Sequence, residues 1–225
     1  DESAFQKIID LYEEKGTDEK LFTFEVTMQN HGGYSKDTDD FRESVYLTDE
    51  LNQGTQVRAA EKYLTLIQKS DEAFKELVEY FEKQKEPTII LMFGDHQPSD
   101  YITNVILREL DLDRDESQDV YFDNYIVPYI MWSNYDMDTT QVENISLNYL
   151  SGLLMEKAGI GLTGYQQFLK DMQAELPVIT ANMVMEADGD REPEKDVQSE
   201  WIENYNKLVY NHLCDKTGKL SGFFE

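Results

Sequence analysis

Phe5, Ile8, Ile9 and Tyr12 recur three and four residues apart, which predicts a helix from Ser3 to about Lys15 with Ser3 as its N-cap. From Leu21 to Met28 the period becomes two. Phe22, Phe24, Val26 and Met28 fall on one side and Thr23, Glu25 and Thr27 on the other, the pattern of a strand. Asn30-His31-Gly32-Gly33 ends it as a loop, and acidic residues mark 37–50 as surface loop. Helical spacing returns over 56–84, where Tyr63, Leu64, Ile67, Phe74, Leu77, Val78 and Phe81 form one broad apolar face; Ser70-Asp71 is a place where it could divide into two helices. Thr88 to Phe93 is a short apolar run between Pro87 and Gly94, which reads as a strand buried on both faces.

The alternation continues to the C-terminus. A helix is predicted over 100–110, an acidic loop over 111–119, and a strand over 126–133 with Pro128 at its start or on an edge. Helices over 145–158 and 165–172, a strand over 177–185, a charged loop over 187–199 and a helix over 201–214 follow, and 218–225 carries no clear pattern. Apolar strands separated by helices imply an α/β layered fold, with a largely parallel sheet and helices on both faces. No repeat or linker divides the 225 residues, so they read as a single domain.

Composition narrows the functions this fold could serve. The net charge of −26 repels phosphate backbones and anionic lipid heads, which argues against nucleic-acid binding and electrostatic membrane docking. Apolar residues at 40% exclude a wholly disordered chain. With Cys214 as its one cysteine, the chain can form neither an internal disulfide nor a cysteine-based zinc cluster. No apolar run approaches the ~20 residues that span a bilayer, so the chain itself reads as soluble. Starting at Asp1 with no signal peptide, it reads as cut from a longer protein.

Candidate chemistry centres on two of the three histidines. His31 and His96 both follow predicted strands, where open α/β sheets bind ligands. Asp95-His96 offers a carboxylate oxygen and an imidazole nitrogen, a donor pair suited to Mn²⁺, Zn²⁺ or Mg²⁺, and Gly94 allows the backbone to approach a ligand. Equally, Asp95 could cap the next helix with His96 a plain loop residue. His31 could contact an anion or transfer a proton, or simply occupy a turn. His212 and Cys214 have no ligand-spaced neighbours, and Trp132 and Trp201 read as core residues. Asn144-Ile145-Ser146 matches a glycosylation sequon.

Several segments together resemble the lipoteichoic acid synthase and sulfatase family of the alkaline phosphatase-like superfamily, in its C-terminal half. They are Phe22 to Tyr34 (FTFEVTMQNHGGY), Tyr63 to Phe81, Ile89 to Ser99 (IILMFGDHQPS), Val127 to Ile130, Ile145 to Ile160, and Trp201 to Tyr210, in family order. The strand running into Gly-Asp-His is the most specific of them. The resemblance implies a membrane-anchored enzyme on the extracellular face of a bacterial cell. Such enzymes transfer phosphoglycerol from a lipid or hydrolyse other phosphate or sulfate esters. It implies one divalent metal, Mn²⁺ first with Mg²⁺, Ca²⁺ or Zn²⁺ as alternatives, and a Thr or Ser nucleophile. It assigns Asp95 and His96 to the metal and His31 to the substrate phosphate.

The family's nucleophile and its acidic metal ligand precede the segment matching Leu21 to Met28. Only 20 residues precede Leu21 here, and they read as a helix. The expectation is therefore a half-site that needs the rest of the parent domain as its partner, with no nucleophile of its own. The alternative is a binding or structural module that keeps the fold without the chemistry.

Overall fold

The computed structural model describes residues 1–34, 41–48, 54–110, 112, 123–193 and 197–225. Of the acidic stretches expected as loops, 37–40, 49–50, 111 and 113–119 lie outside them, and 41–48 carries no helix or strand. The chain packs as two compact units, Asp1–Tyr135 and Asp136–Glu225.

The first unit is built on two amphipathic helices, α1 (Glu2–Glu14) and α2 (Thr55–Glu82). The N-cap position of α1 is Asp1 rather than Ser3, and no side chain caps it. Phe5, Ile8, Ile9 and Tyr12 form the predicted face and pack on Ala73, Phe74, Leu77, Tyr80 and Phe81 of α2. Edge-on ring contacts help fix that seam, Phe5 with Phe74 at 6.4 Å and Tyr12 with Phe81 at 5.1 Å. Nearer its start, α2 presents Ala59 and Ala60 to Ile102 and Val105 of α3 (Asp100–Glu109). These small side chains let the two helices approach closely.

α2 does not divide at Ser70-Asp71. Ser70 is buried, and its hydroxyl donates to the Leu66 carbonyl one turn back. It also accepts from the Gln29 and Asn30 carboxamides, at 3.2 and 2.9 Å. The serine therefore ties another segment to the helix instead of starting a new one.

Strands β1 (Ile89–Phe93) and β2 (Tyr129–Ser133) pair antiparallel, from Ile89 opposite Ser133 to Phe93 opposite Tyr129. Ile90 and Trp132, directly opposite each other, pack on the α1–α2 seam. The expectation of a largely parallel sheet is corrected here, since every strand pairing among the described residues is antiparallel. A parallel partner needs a crossover that returns the chain to the start of β1. Instead, the chain after α3 rejoins the sheet at the C-terminal end of β1 and runs back along it.

The 21–28 segment is also corrected. Its alternation predicts a strand, but among the described residues it carries no regular secondary structure and joins no ladder. Phe22 and Phe24 are 80% and 69% exposed, and Val26 and Met28 are exposed beside them.

Asn134 fastens the sheet to α2. Its Oδ1 accepts from the Thr88 N–H at 2.8 Å. Its Nδ2 donates to the carbonyls of Phe81, Gln84 and Glu86 at 3.1, 3.1 and 2.9 Å. The start of β1 and the end of α2 are thus held by one side chain.

The second unit has its core in Tyr149, Leu169, Met172, Leu176 and Val184, with Phe168, Trp201 and Ile202 packed against it. A 3₁₀ turn (Leu147–Tyr149) leads into α4 (Leu150–Lys157), which ends before Gly159 at φ +68°. α5 (Gly164–Glu175) is capped by the Thr163 hydroxyl. The single strand expected over 177–185 is a hairpin, β3 (Val178–Ile179) and β4 (Met183–Met185). Thr180 Oγ1 takes the Asn182 and Met183 N–H groups and turns the chain. β5 (Arg191–Pro193) adds a third strand where a loop was expected, reached through Gly189 at φ +94°. α6 (Glu200–Leu213) and a short α7 (Ser221–Phe224) complete the unit.

Candidate functional site

β1 delivers the Asp95-His96 pair. The Gly94 N–H donates to the Pro128 carbonyl at 3.1 Å, extending the ladder one step beyond Phe93. Pro128 has no N–H to return, so regular pairing stops there. A Cβ at position 94 would sit 3.1 Å from Val127 Cβ, so glycine permits this close approach. The chain then leaves the sheet and its next two side chains open to solvent, Asp95 81% and His96 67% exposed.

Asp95 does not cap α3, whose N-cap position is Ser99. Asp95 Oδ1 instead accepts the His96 backbone N–H at 2.8 Å, and its Oδ2 lies 3.6 Å from His96 Nε2. The other ring nitrogen, Nδ1, is 2.8 Å from the Gln97 carbonyl oxygen. The Gln97 carboxamide donates to the carbonyls of Asp123 and Ile126, both at 2.8 Å. Those two residues are themselves joined by the Ile126 N–H to Asp123 carbonyl bond.

His31 is held by a different set of contacts. Its N–H closes a turn on the Met28 carbonyl at 3.1 Å, and Gly33 follows with φ +92°. Gln29 donates to the Leu66 carbonyl and to Ser70, Asn30 donates to Ser70, and the Tyr34 hydroxyl donates to the Asn30 carbonyl. Tyr34 also stacks edge-on against Tyr63 at 5.6 Å, and burial raises the pKa of its hydroxyl. The backbone around His31 is thereby anchored to α2, while His31 itself is exposed. No hydrogen bond or ion pair links it to Asp95 or His96.

Asp95 and His96 are thus together, and His31 sits at the end of a separate segment. Among the described residues no group of three or more His, Cys, Asp or Glu is gathered to hold a metal ion. Asp95 and His96 fit a divalent cation as part of a donor set, one hard oxygen and one borderline nitrogen facing each other. His212 lies against the Phe224 ring at 4.3 Å, and Cys214 is exposed. Ser146 of the sequon is buried, with its hydroxyl bonded to the Ile179 backbone. Sequence reasoning overlooked Gln97 and Asn134. The only signal for Gln97 was its place beside the Asp-His pair.

Fold comparison gives the class first. The chain superposes over its full length on 52% of the Streptococcus pyogenes phosphoglycerol transferase GacH, solved in complex with sn-glycerol-1-phosphate, with a TM-score of 0.64 at 16% identity. This is the alkaline phosphatase-like sulfatase and transferase fold. The Sulfatase family model matches residues 1–160, and the chain belongs to that family. Over its whole length it is 24% identical to 36% of a Rhizobium meliloti (strain 1021) protein provisionally named a cyclic beta-1,2-glucan modification protein. It is 25% identical over 204 residues to an uncharacterized Haemophilus influenzae protein, covering 89% of this chain and 32% of that one. The chain spans about a third of the length of these curated relatives. No described helix is long and apolar enough to cross a membrane.

Proposed function

We propose that these residues are one part of a metal-dependent phosphoglycerol transferase or phosphate or sulfate ester hydrolase. In this reading the enzyme works on the extracellular face of a bacterial membrane. The observation that carries it is the open Asp95–His96 pair at the end of β1, 3.6 Å between Oδ2 and Nε2, in a chain of the Sulfatase family. The sn-glycerol-1-phosphate bound by the Streptococcus pyogenes transferase supports a phosphoglycerol-type substrate.

Asp95 Oδ2 and His96 Nε2 would hold the divalent metal, Mn²⁺ first. When bound, such an ion neutralises charge on ester oxygens and acidifies a coordinated hydroxyl. His31, on its anchored turn, would donate a ring N–H to a non-bridging ester oxygen and orient the phosphorus or sulfur centre. The attacking hydroxyl and the remaining acidic ligand would come from outside these 225 residues, because among the described residues no Ser or Thr hydroxyl is bonded to His31, Asp95 or His96.

The test is an assay of this chain and of the longer protein containing it, with a chromogenic phosphodiester and Mn²⁺. The expected result is no turnover by the chain alone and turnover by the longer protein that His96→Ala abolishes. Turnover by the chain alone, lost in His96→Ala, would overturn the divided site. A longer protein with no turnover, or with turnover insensitive to His96→Ala, would overturn the enzymatic reading.

A further inference from the structure

A carbonyl oxygen has no proton to give. The 2.8 Å contact between His96 Nδ1 and the Gln97 carbonyl therefore requires the proton on Nδ1. In the neutral ring, that leaves Nε2 with its lone pair exposed, 3.6 Å from Asp95 Oδ2. An unconstrained imidazole carries its proton mainly on Nε2, so this loop opposes the ring's own preference. The constraint comes from the carbonyl of the Gln97–Pro98 peptide, and the residue that carries it is held through the Gln97 side chain. Its carboxamide donates to two carbonyls, of Asp123 and Ile126, at 2.8 Å each. Both acceptors belong to the turn that precedes β2, which is itself paired to β1.

We infer that Gln97 is a positioning residue: by pinning its own peptide to the 123–126 turn it holds the His96 proton on Nδ1 and presents Nε2, beside Asp95, as a lone-pair donor. This rests on the metal-binding reading of Asp95 and His96. It adds that the donor state of His96 is set by a side chain that touches neither metal nor substrate. Outer partners that orient a ligand imidazole typically change metal affinity by about 10–100-fold when lost.

The test uses the ¹⁵N-labelled chain freed of metal by chelator, at roughly pH 8.5, where an ordinary imidazole is neutral. Long-range ¹H–¹⁵N correlation reports which ring nitrogen of His96 carries the proton. The expected wild-type signature is protonated Nδ1. Gln97→Leu removes both donors and should return the ring to a mixture dominated by Nε2–H. Gln97→Glu keeps the shape, cannot donate to two carbonyls, and should follow Gln97→Leu. Amide spectra of β1 and β2 confirm that each variant is folded. A wild-type ring protonated on Nε2, or a tautomer unchanged in a folded variant, overturns the role of Gln97.

Mn²⁺ is then added to the same samples, and paramagnetic broadening at Asp95 and His96 is followed. The apparent affinity should fall about 10-fold in Gln97→Leu. No broadening in the wild type would overturn the metal reading while the tautomer result stood. Unaltered tautomers with broadening intact would overturn the inference and leave the metal reading standing.

Discussion

Replacing Asn134 with Ala tests how β1, and with it the Asp95-His96 loop, is held to α2. The side chain makes four contacts of 2.8 to 3.1 Å, one accepting from Thr88 and three donating to Phe81, Gln84 and Glu86. An amide has only two donor hydrogens, so the three donor contacts share two protons. That leaves the equivalent of three hydrogen bonds at about 1 kcal/mol net each, or about 3 kcal/mol. Two features bracket the figure. The Phe81 carbonyl keeps its bond from the Gln84 N–H, and water can reach a part-buried site, which lowers the cost. Carbonyls left unpaired at the end of α2 raise it. The assay is urea unfolding followed by Trp132 fluorescence in a Trp201→Phe background, so that only the first unit reports. With a urea slope of about 2 kcal/mol per molar, Asn134→Ala should lower the midpoint by roughly 1.5 M. Asn134→Asp keeps the Thr88 acceptor but turns a carboxylate toward three carbonyl oxygens, and should be at least as harmful. A loss below about 1 kcal/mol, or an aspartate variant as stable as the wild type, would refute this account of the junction.

Two further outcomes follow from the charge and exposure pattern. The Lys157 ammonium and the Thr140 hydroxyl and N–H, bonded to Asp138, hold its carboxyl well below the usual carboxylate range. The unfolded chain therefore binds a proton that the folded chain refuses, and the stabilisation present at neutral pH is lost as pH falls below about 4. Asp138→Asn should flatten the fall in urea midpoint between about pH 5 and pH 3, measured through Trp201; an unchanged slope would contradict the assignment. The double change Phe22→Ser and Phe24→Ser should reduce binding of a hydrophobic dye and raise solubility with little effect on stability, because both rings are largely exposed. A loss of more than about 1 kcal/mol would show that they are packed.

Period and punctuation made most elements legible. The faces of α1 and α2, the β1 run before Gly94 and the proline that starts β2 all follow from local pattern, and local pattern survives in the fold. Strand direction was not legible, because an apolar run bounded by Pro and Gly states burial and not the side from which its partner arrives. Ser70 misled for a similar reason. Beside an aspartate it resembles a cap, but its hydroxyl serves Gln29 and Asn30, which lie some 40 residues earlier in the chain. In the site, Asp95 and His96 could be paired by eye because they are neighbours in the chain. The supports from Gln97 to the 123–126 turn and from Asn134 to α2 cross 26 to 53 residues and leave no local signature.

In the proposed reading, the strength of metal and ester binding would be tied to what covers Asp95, His96 and His31. Two unit charges at 4 Å attract by about 1 kcal/mol in water and by about 4 kcal/mol in the milder dielectric of a partly covered surface. With Asp95 81% and His96 67% exposed, a cation here competes with bulk water at the weaker end of that range. The same would hold for an ester anion at His31, three residues beyond the uncovered 21–28 segment. A surface laid on Phe22, Phe24, Val26 and Met28 would remove apolar area from water and would also displace solvent beside His31. At ~25 cal/mol per Å², covering each of those side chains contributes about 1.5–3 kcal/mol to the association. Burial of the segment and electrostatic gain at the histidine would then come from one event. That is the physical reason to expect weak metal and ester binding while these side chains face solvent.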